Sequence, residues 1–465
     1  MSDGKQKLIR DVNFVLSECA RIQGLVNLGN LKVIGSADFM SSLPHPNGRG
    51  QMLCGVAAAA IITELAKLAL HRSRLSRRVG LMTARKELEK LFVYRFFTEQ
   101  RDVDTKQIDR MLNAVAKMSR GYCVTITHLI PCHLMHSQEP ALIKVGQVTF
   151  HNKSSINQLL IRKSRNADPK SEDSAYERRL LAKAIRYYRN FRWVAEVTIS
   201  DCDAETSARL AQEAVTASLN CLHLLLGVNH SSRMRVGGAD VRSNRSARIT
   251  IGALDQLEPS VSFGYLGEVG FLNGWSEMLV TEDSQAWLNL FGIALEVTIN
   301  PDLERPLCRR FVDALQWFGE AARDESAATK TVKYVTALER MLMTEERDDI
   351  TSVVAERVAA LCFTSEVSRL IWNERARDAY DLRSRLVHGS MSPGSLDLQE
   401  GSSNAASVAS TALMHALCAF GEDALRDDRL RASDLADWFK RLVEWADREE
   451  RAMEEHSSSL GVGLL

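Results

Sequence analysis

Three textures follow one another along the chain. Apolar positions recur at helical spacing at first, then alternate, then return to helical spacing for the last third. Asp11–Val26, DVNFVLSECARIQGLV, has the three- and four-residue spacing of a helix. Ser36–Gly50 is expected to be a loop, because Pro44, Pro46, Gly48 and Gly50 interrupt any regular element. The run Leu53–Thr63, LCGVAAAAIIT, is too short to span a bilayer and reads as the start of a buried, Ala-rich helix. That helix ends in the basic cluster His71, Arg72, Arg74, Arg77 and Arg78. Such a cluster can touch phosphates, but at a helix C-terminus it is more simply a solvated face complementing the helix dipole.

From Gly121 the period shortens to two. YCVTITHLI (122–130), ALIKVGQVTFHN (141–152) and FRWVAEVTISD (191–201) are rich in β-branched residues and read as strands, the second as a pair or a bulged strand about Gly146. A helix is expected over 204–227, and further strands at SARITIGAL, SVSFGYLG and IALEVTIN (293–300). Asn166–Arg179 is charged and reads as a loop or a helix entry.

Past Asn300 the alternation stops, and six helical segments follow, over 302–324, 328–343, 350–363, 365–389, 406–425 and 432–455. Gly389, Pro393 and Gly394 punctuate the end of the fourth. Ser390–Asn404 reads as a loop and the tail SSSLGVGLL as disordered. The organisation expected is a mainly helical region over 1–120, an α+β region over 121–300 and a helix bundle over 301–465.

Composition narrows the chemistry. The 465 residues carry 59 basic and 59 acidic side chains. A long nucleic-acid groove needs a basic excess, so any such surface must be local. Nine scattered cysteines without a C-x-x-C pair read as reduced core residues of a cytoplasmic protein. The polar start MSDGKQKLIRD lacks the apolar stretch of a signal peptide, and no membrane association is expected. Cys123, His128, Cys132, His133 and His136 lack the spacing of a zinc frame, and strand alternation divides them between faces. Neither a phosphate-binding G-x-x-x-x-G-K-[ST] loop nor a G-x-S-x-G turn occurs.

One segment carries sharper chemistry. In Tyr380–Gly389, YDLRSRLVHG, four residues separate Arg383 from His388. Five helical steps turn about 140°, so the side chains are not in line, but arginine is long and His388 precedes a helix-ending glycine. Histidine can exchange protons near neutral pH. Arginine keeps its charge and holds two phosphate oxygens at once. Such a pair can assist attack of an RNA 2′-hydroxyl on its own phosphate without a metal. Spacing alone is weak support, for RAMEEH (451–456) has the same spacing in the polar tail. On spacing alone a helix-terminal Arg and His paired with carboxylates or the helix dipole is the simpler reading.

The stretch from about Ala314 to Gly389 resembles the HEPN domain of the Apea-like type. ALQWFGEAARD, KYVTALERMLM, AERVAALC and YDLRSRLVHG occur in the family's order. IKVGQVTFHN and RWVAEVTISD resemble upstream parts of the same larger family, and residues 1 to about 110 resemble nothing in it. The resemblance implies a small helix bundle, a metal-independent endoribonuclease with no cofactor, and catalytic roles for Arg383 and His388. Ser384 stands where the family often has Asn or Asp. Arg385 and Asp381 are candidate supporting residues, and Tyr380 a candidate for stacking on a base. Glu339 and Arg357 are expected to form a buried pair between helices.

The expectation is therefore a mainly α protein with an α+β N-terminal and middle region and a C-terminal HEPN-type bundle. It would cleave single-stranded RNA or tRNA, act as a homodimer or higher oligomer, and serve in bacterial antiviral defence, with the region before 301 sensing an unknown trigger. The rival expectation is a non-catalytic HEPN scaffold, regulator or nucleotide-binding module. A further rival is plain nucleic-acid binding through Arg72–Arg78.

Overall fold

A computed structural model describes residues 2–27, 40–165, 174–237, 245–251, 257–263, 267–268, 270–271, 273–346, 349–364 and 366–459. It is mainly helical, with sheets before residue 264. The chain divides into two compact units, one of 1–126 with 199–210, the other of 127–198 with 211–465.

In the first unit α1 (Ser2–Asn27) is followed by a hairpin of β1 (Met40–Pro44) and β2 (Gln51–Gly55), then α2 (Val56–Arg72), α3 (Leu81–Val93) and α4 (Thr105–Arg120). Of the expected loop over 36–50, Met40–Pro44 is strand instead, 45–50 is the turn expected, and 36–39 lie outside the described residues. Met40 pairs with Gly55 and Pro44 with Gln51. Pro44 ends β1, and Pro46, Gly48 and Gly50 mark the turn between the strands, where Gly48 N–H donates to His45 O at 2.9 Å. Leu53–Gly55 of the apolar run is correspondingly strand rather than helix. Val12, Val15, Ile62, Leu88, Phe92, Met111 and Val115 close the core of this unit.

The second unit opens on β3 (Val124–His133), which begins in the first unit. It continues through β4 (Leu142–Val145), β5 (Val148–Asn152), α5 (Lys153–Arg165), α6 (Ser174–Tyr188), β6 (Trp193–Cys202), α7 (Ala204–Leu226), the short α8 (Val228–Ser231) and β7 (Arg235–Val236). The strands form one sheet in the order β4-β5-β6-β3-β7. Gly146 makes the tight β4–β5 turn expected of it. Of the charged segment 166–179, residues 166–173 lie outside the described residues and α6 begins at Ser174. A separate hairpin joins β8 (Arg245–Ile251) to β9 (Leu257–Phe263).

The remaining helices are α9 (Glu282–Ile299), α10 (Pro306–Arg323), α11 (Ala327–Leu342), α12 (Ile350–Cys362), α13 (Arg369–Val387), α14 (Leu398–Arg426) and α15 (Ala432–Ser459). The expected strand IALEVTIN is the second half of α9. Thr281 caps that helix through the N–H of Ser284, and Phe291, Ile293, Ala294, Leu295, Val297 and Thr298 are all buried. A helix buried on most sides reads as a continuous apolar run, which short-range alternation cannot tell from a strand. α14 begins within the segment expected as a loop, and Gly421 kinks it. Ser457–Ser459 of the tail are helical, and 460–465 lie outside the described residues.

α11 packs on α10, α13 and α14, and α12 on α13, α14 and α15. No helix among the described residues is long and apolar enough to cross a membrane.

Candidate functional site

The Arg383–His388 segment closes α13. Trp372, Ala376, Ala379, Tyr380 and Leu382 form the buried face of that helix. Its last turn rests on a small satellite core of Ala328, Leu382 and Leu398, with Leu386 and Met391 packed against it. At Gly401 of α14 a Cβ would fall 2.3 Å from Leu382 Cδ2, so a larger residue there would push the Leu382 side chain aside. The helix then stops as its sequence demands. Gly389 adopts φ 76°, a left-handed conformation that suits glycine. His388 N–H donates to Ser384 O at 2.9 Å, and Met391 N–H returns to Arg385 O at 3.1 Å. The end of α13 is therefore held firmly while its side chains divide between core and solvent.

His388 and Arg385 are exposed, and Arg383 and Ser384 are half-buried. His388 makes no side-chain hydrogen bond or ion pair among the described residues. Arg385 Nη1 lies 3.6 Å from Asp381, an exposed pair one turn apart on the same helix. Arg383 Nη2 lies 3.9 Å from Glu339 of α11, with the two side chains 31% and 26% exposed. Arg383 Nε is buried without a hydrogen-bond partner. No hydrogen bond joins Arg383 to His388 among the described residues.

Tyr380 is placed differently from a base-stacking residue. Its ring is buried in the bundle. Burial first, and then the Glu339 carboxylate nearby, push its hydroxyl well above the usual phenol range. That hydroxyl has no partner of ordinary hydrogen-bond geometry among the described residues.

The expected Glu339–Arg357 pair is not formed. Glu339 faces Arg383, and Arg357 is bound elsewhere. Arg357 pairs with Glu346, donates to Leu342 O at 2.6 Å, and lies 4.5 Å over the ring of Phe439. Two charged residues on neighbouring helices suggested one pair, but Arg357 takes Glu346 from the segment between α11 and α12, and Glu339 faces α13. Burial alone would raise the Glu346 carboxyl, but hydrogen bonds from Arg357 and Thr344 outweigh it and bring it down to about 2.

The other candidates resolve more simply. In the basic cluster Arg72 pairs with Asp109 at 2.8 Å and Arg78 with Asp201 at 2.8 Å. Among the described residues no group of three or more His, Cys, Asp or Glu could hold a metal ion. Cys132 and His133 are buried, and burial brings His133 down to about 4. A cleft of about 590 Å³ lies beside β4 and α9, lined by Lys144, Gln147, Glu296 and Arg426 among others, with no residue of α13.

Two polar networks escaped the sequence reading. His223 of α7 is fully buried, with Nδ1 2.8 Å from Ser231 Oγ and Nε2 3.3 Å from Arg323 Nη1. Ser231 Oγ donates its one proton to Gly227 O at 2.8 Å. The imidazole must therefore donate from Nδ1 and accept from Arg323, so the ring is neutral. Burial first, then the charges of Arg323 and Arg235, bring His223 down to about 3. The second network joins His151, Ser155 and Glu196. His151 and Ser155 are only four residues apart, but strand pairing brings Glu196 to them, which no local pattern encodes.

Compared with known proteins, the chain matches no family model, no curated protein and no solved structure.

Proposed function

We propose that the chain is a metal-independent endoribonuclease of HEPN type. The observation that carries this reading is the state of the α13 end: a solvent-facing histidine without a partner, five residues after an arginine that is only half satisfied. Arg383 is partly exposed, and its Nη2 sits 3.9 Å from the Glu339 carboxylate, longer than a hydrogen bond. A phosphate would complete it. His388 would remove the proton from the 2′-hydroxyl or give one to the departing 5′-oxygen, and Arg383 would stabilise charge on the phosphorane. Arg385 adds positive charge at the same end, Ser384 a hydroxyl, and Asp381 holds Arg385. RNA, single-stranded or tRNA, is the substrate class, and two copies of the chain would bring two such ends to one cleft.

On this reading the region before 301 restrains or triggers the nuclease, and the setting is antiviral defence. Phage challenge of bacteria carrying the intact gene and its His388→Ala form tests that role. Protection by the intact gene alone is expected, and equal survival would remove the defence role. Incubating the purified chain with tRNA in EDTA tests the activity, with cleavage expected from the wild type and none from Arg383→Ala.

A second reading has its own observation. Glu339 is close enough to Arg383 to be its permanent counter-ion, and Tyr380 is core. A non-catalytic HEPN scaffold would keep both. It predicts that the wild type leaves RNA intact even when two copies associate.

A further inference from the structure

We propose that Ser155, His151 and Glu196 form a second catalytic site, one that hydrolyses carboxylic esters through Ser155 as nucleophile. The three side chains make a continuous chain. His151 Nε2 lies 2.7 Å from Glu196 Oε2, and His151 Nδ1 lies 2.9 Å from Ser155 Oγ. Three elements supply them: β5 carries His151, β6 carries Glu196, and the first turn of α5 carries Ser155. Thr149 of β5 lies opposite Glu196 and His151 opposite Val194, so the histidine and the glutamate share one face of the sheet as diagonal neighbours.

The hydrogen positions follow from the chemistry. A carboxylate only accepts, so Nε2 must carry the proton it shares with Glu196. In the neutral ring Nδ1 then presents a lone pair to Ser155 Oγ, which is the orientation of a general base toward a nucleophile. Capping does not require the serine hydroxyl. Asn152 already caps α5 through its side chain, accepting from Ser155 N–H at 2.9 Å. Asn152 N–H donates to Ala141 O at 3.0 Å. The backbone N–H groups of Lys153 and Ser154 lie in the same first turn as Ser155, where a helix leaves its N–H groups without an intrahelical partner, and a developing oxyanion needs such donors. His151 is buried whereas Ser155 is half-buried, so the nucleophile is the member of the chain within reach of solvent.

The reaction balances without any further reagent than water. Ser155 Oγ bonds to the ester carbonyl carbon as its proton passes to His151 Nδ1, and Glu196 stabilises the imidazolium. The carbon–alkoxy bond breaks and the leaving oxygen takes that proton, giving the alcohol and an acyl-serine. Water then adds by the same route and releases the acid.

A fluorophosphonate probe tests this on the full chain, because it phosphonylates only activated serines. The expected result is one adduct, on Ser155, and hydrolysis of p-nitrophenyl acetate. Ser155→Ala should abolish both, and His151→Gln should slow labelling by about 100-fold or more. Ser155→Cys should lose the fluorophosphonate adduct and gain rapid alkylation by iodoacetamide at residue 155. Melting curves of the variants separate loss of reactivity from loss of fold. An unlabelled wild type, an adduct elsewhere, or equal labelling of Ser155 in His151→Gln would overturn the proposal, leaving the network a brace between β5, β6 and α5.

Discussion

The interior of the second unit and the free end of α13 treat charge in opposite ways. Inside, Arg357 meets a carboxylate, a carbonyl and an aromatic face at once, and the buried His223 is held between Ser231 and Arg323. At the end of α13, Arg383 has one distant carboxylate and an unanswered Nε, and His388 has nothing. Leaving a buried donor unpaired costs about 1–3 kcal/mol. Unanswered polar atoms also occur inside, at Tyr380 Oη, Trp372 Nε1 and Arg369 Nε, so what sets the α13 end apart is that His388 is exposed and Arg383 has no close carboxylate. Removing residues from the two regions should therefore have different consequences.

Among substitutions, the largest effect on stability should come from Arg357→Ala. It strips a buried ion pair of one partner and exposes the Phe439 face, a loss of about 3 kcal/mol. Urea unfolding followed by tryptophan fluorescence measures it, and a midpoint unchanged from the wild type would break the contrast.

Acid should act at least as strongly, and again through the interior. His223 is held near 3 when folded but titrates near 6.5 otherwise, so between those values the unfolded chain binds the extra proton. Stability from this group is complete above pH 6.5 and falls as pH drops toward 3, with a slope approaching about 1.4 kcal/mol per pH unit. His133, lowered to about 4, acts in the same direction. Glu346 joins later: its carboxyl is brought down to about 2 from an ordinary 4.5, so its contribution is present above 4.5 and is lost as pH falls toward 2. Urea midpoints at pH 7, 6, 5 and 4 should fall in steps, and His223→Asn should flatten the fall between pH 6.5 and 4.5.

Much of this was legible in the chain itself. Helical spacing marked the bundle, and the Gly389 stop appears where punctuation placed it, because both depend on a few neighbouring residues. The hairpin at Met40–Gly55 and the helical nature of IALEVTIN were not legible, since each depends on a partner or a burial that local alternation does not encode. The candidate site divides in the same way. Arg383 and His388 stood out by type and spacing, whereas the facing of Arg383 by Glu339, the burial of Tyr380 and the binding of Arg357 by Glu346 come from helix packing.

The smallest stability effects should come from the open end. Arg383→Gln gives up one half-exposed ion pair, within about 1 kcal/mol. His388→Ala removes an exposed ring with no partner, within about 0.5 kcal/mol. A loss above about 2 kcal/mol for either would mean that it serves the fold after all.

The most direct test of the central claim is the chemistry of the cut ends. Labelled single-stranded RNA would be incubated in EDTA with the wild type and with His388→Ala, and the fragments analysed for their terminal phosphates. Fragments ending in 2′,3′-cyclic phosphate from the wild type, and none from a His388→Ala protein that melts at the wild-type temperature, are the expected result. Equal cleavage by the two proteins, or intact RNA with the wild type under conditions where its copies associate, would contradict the account.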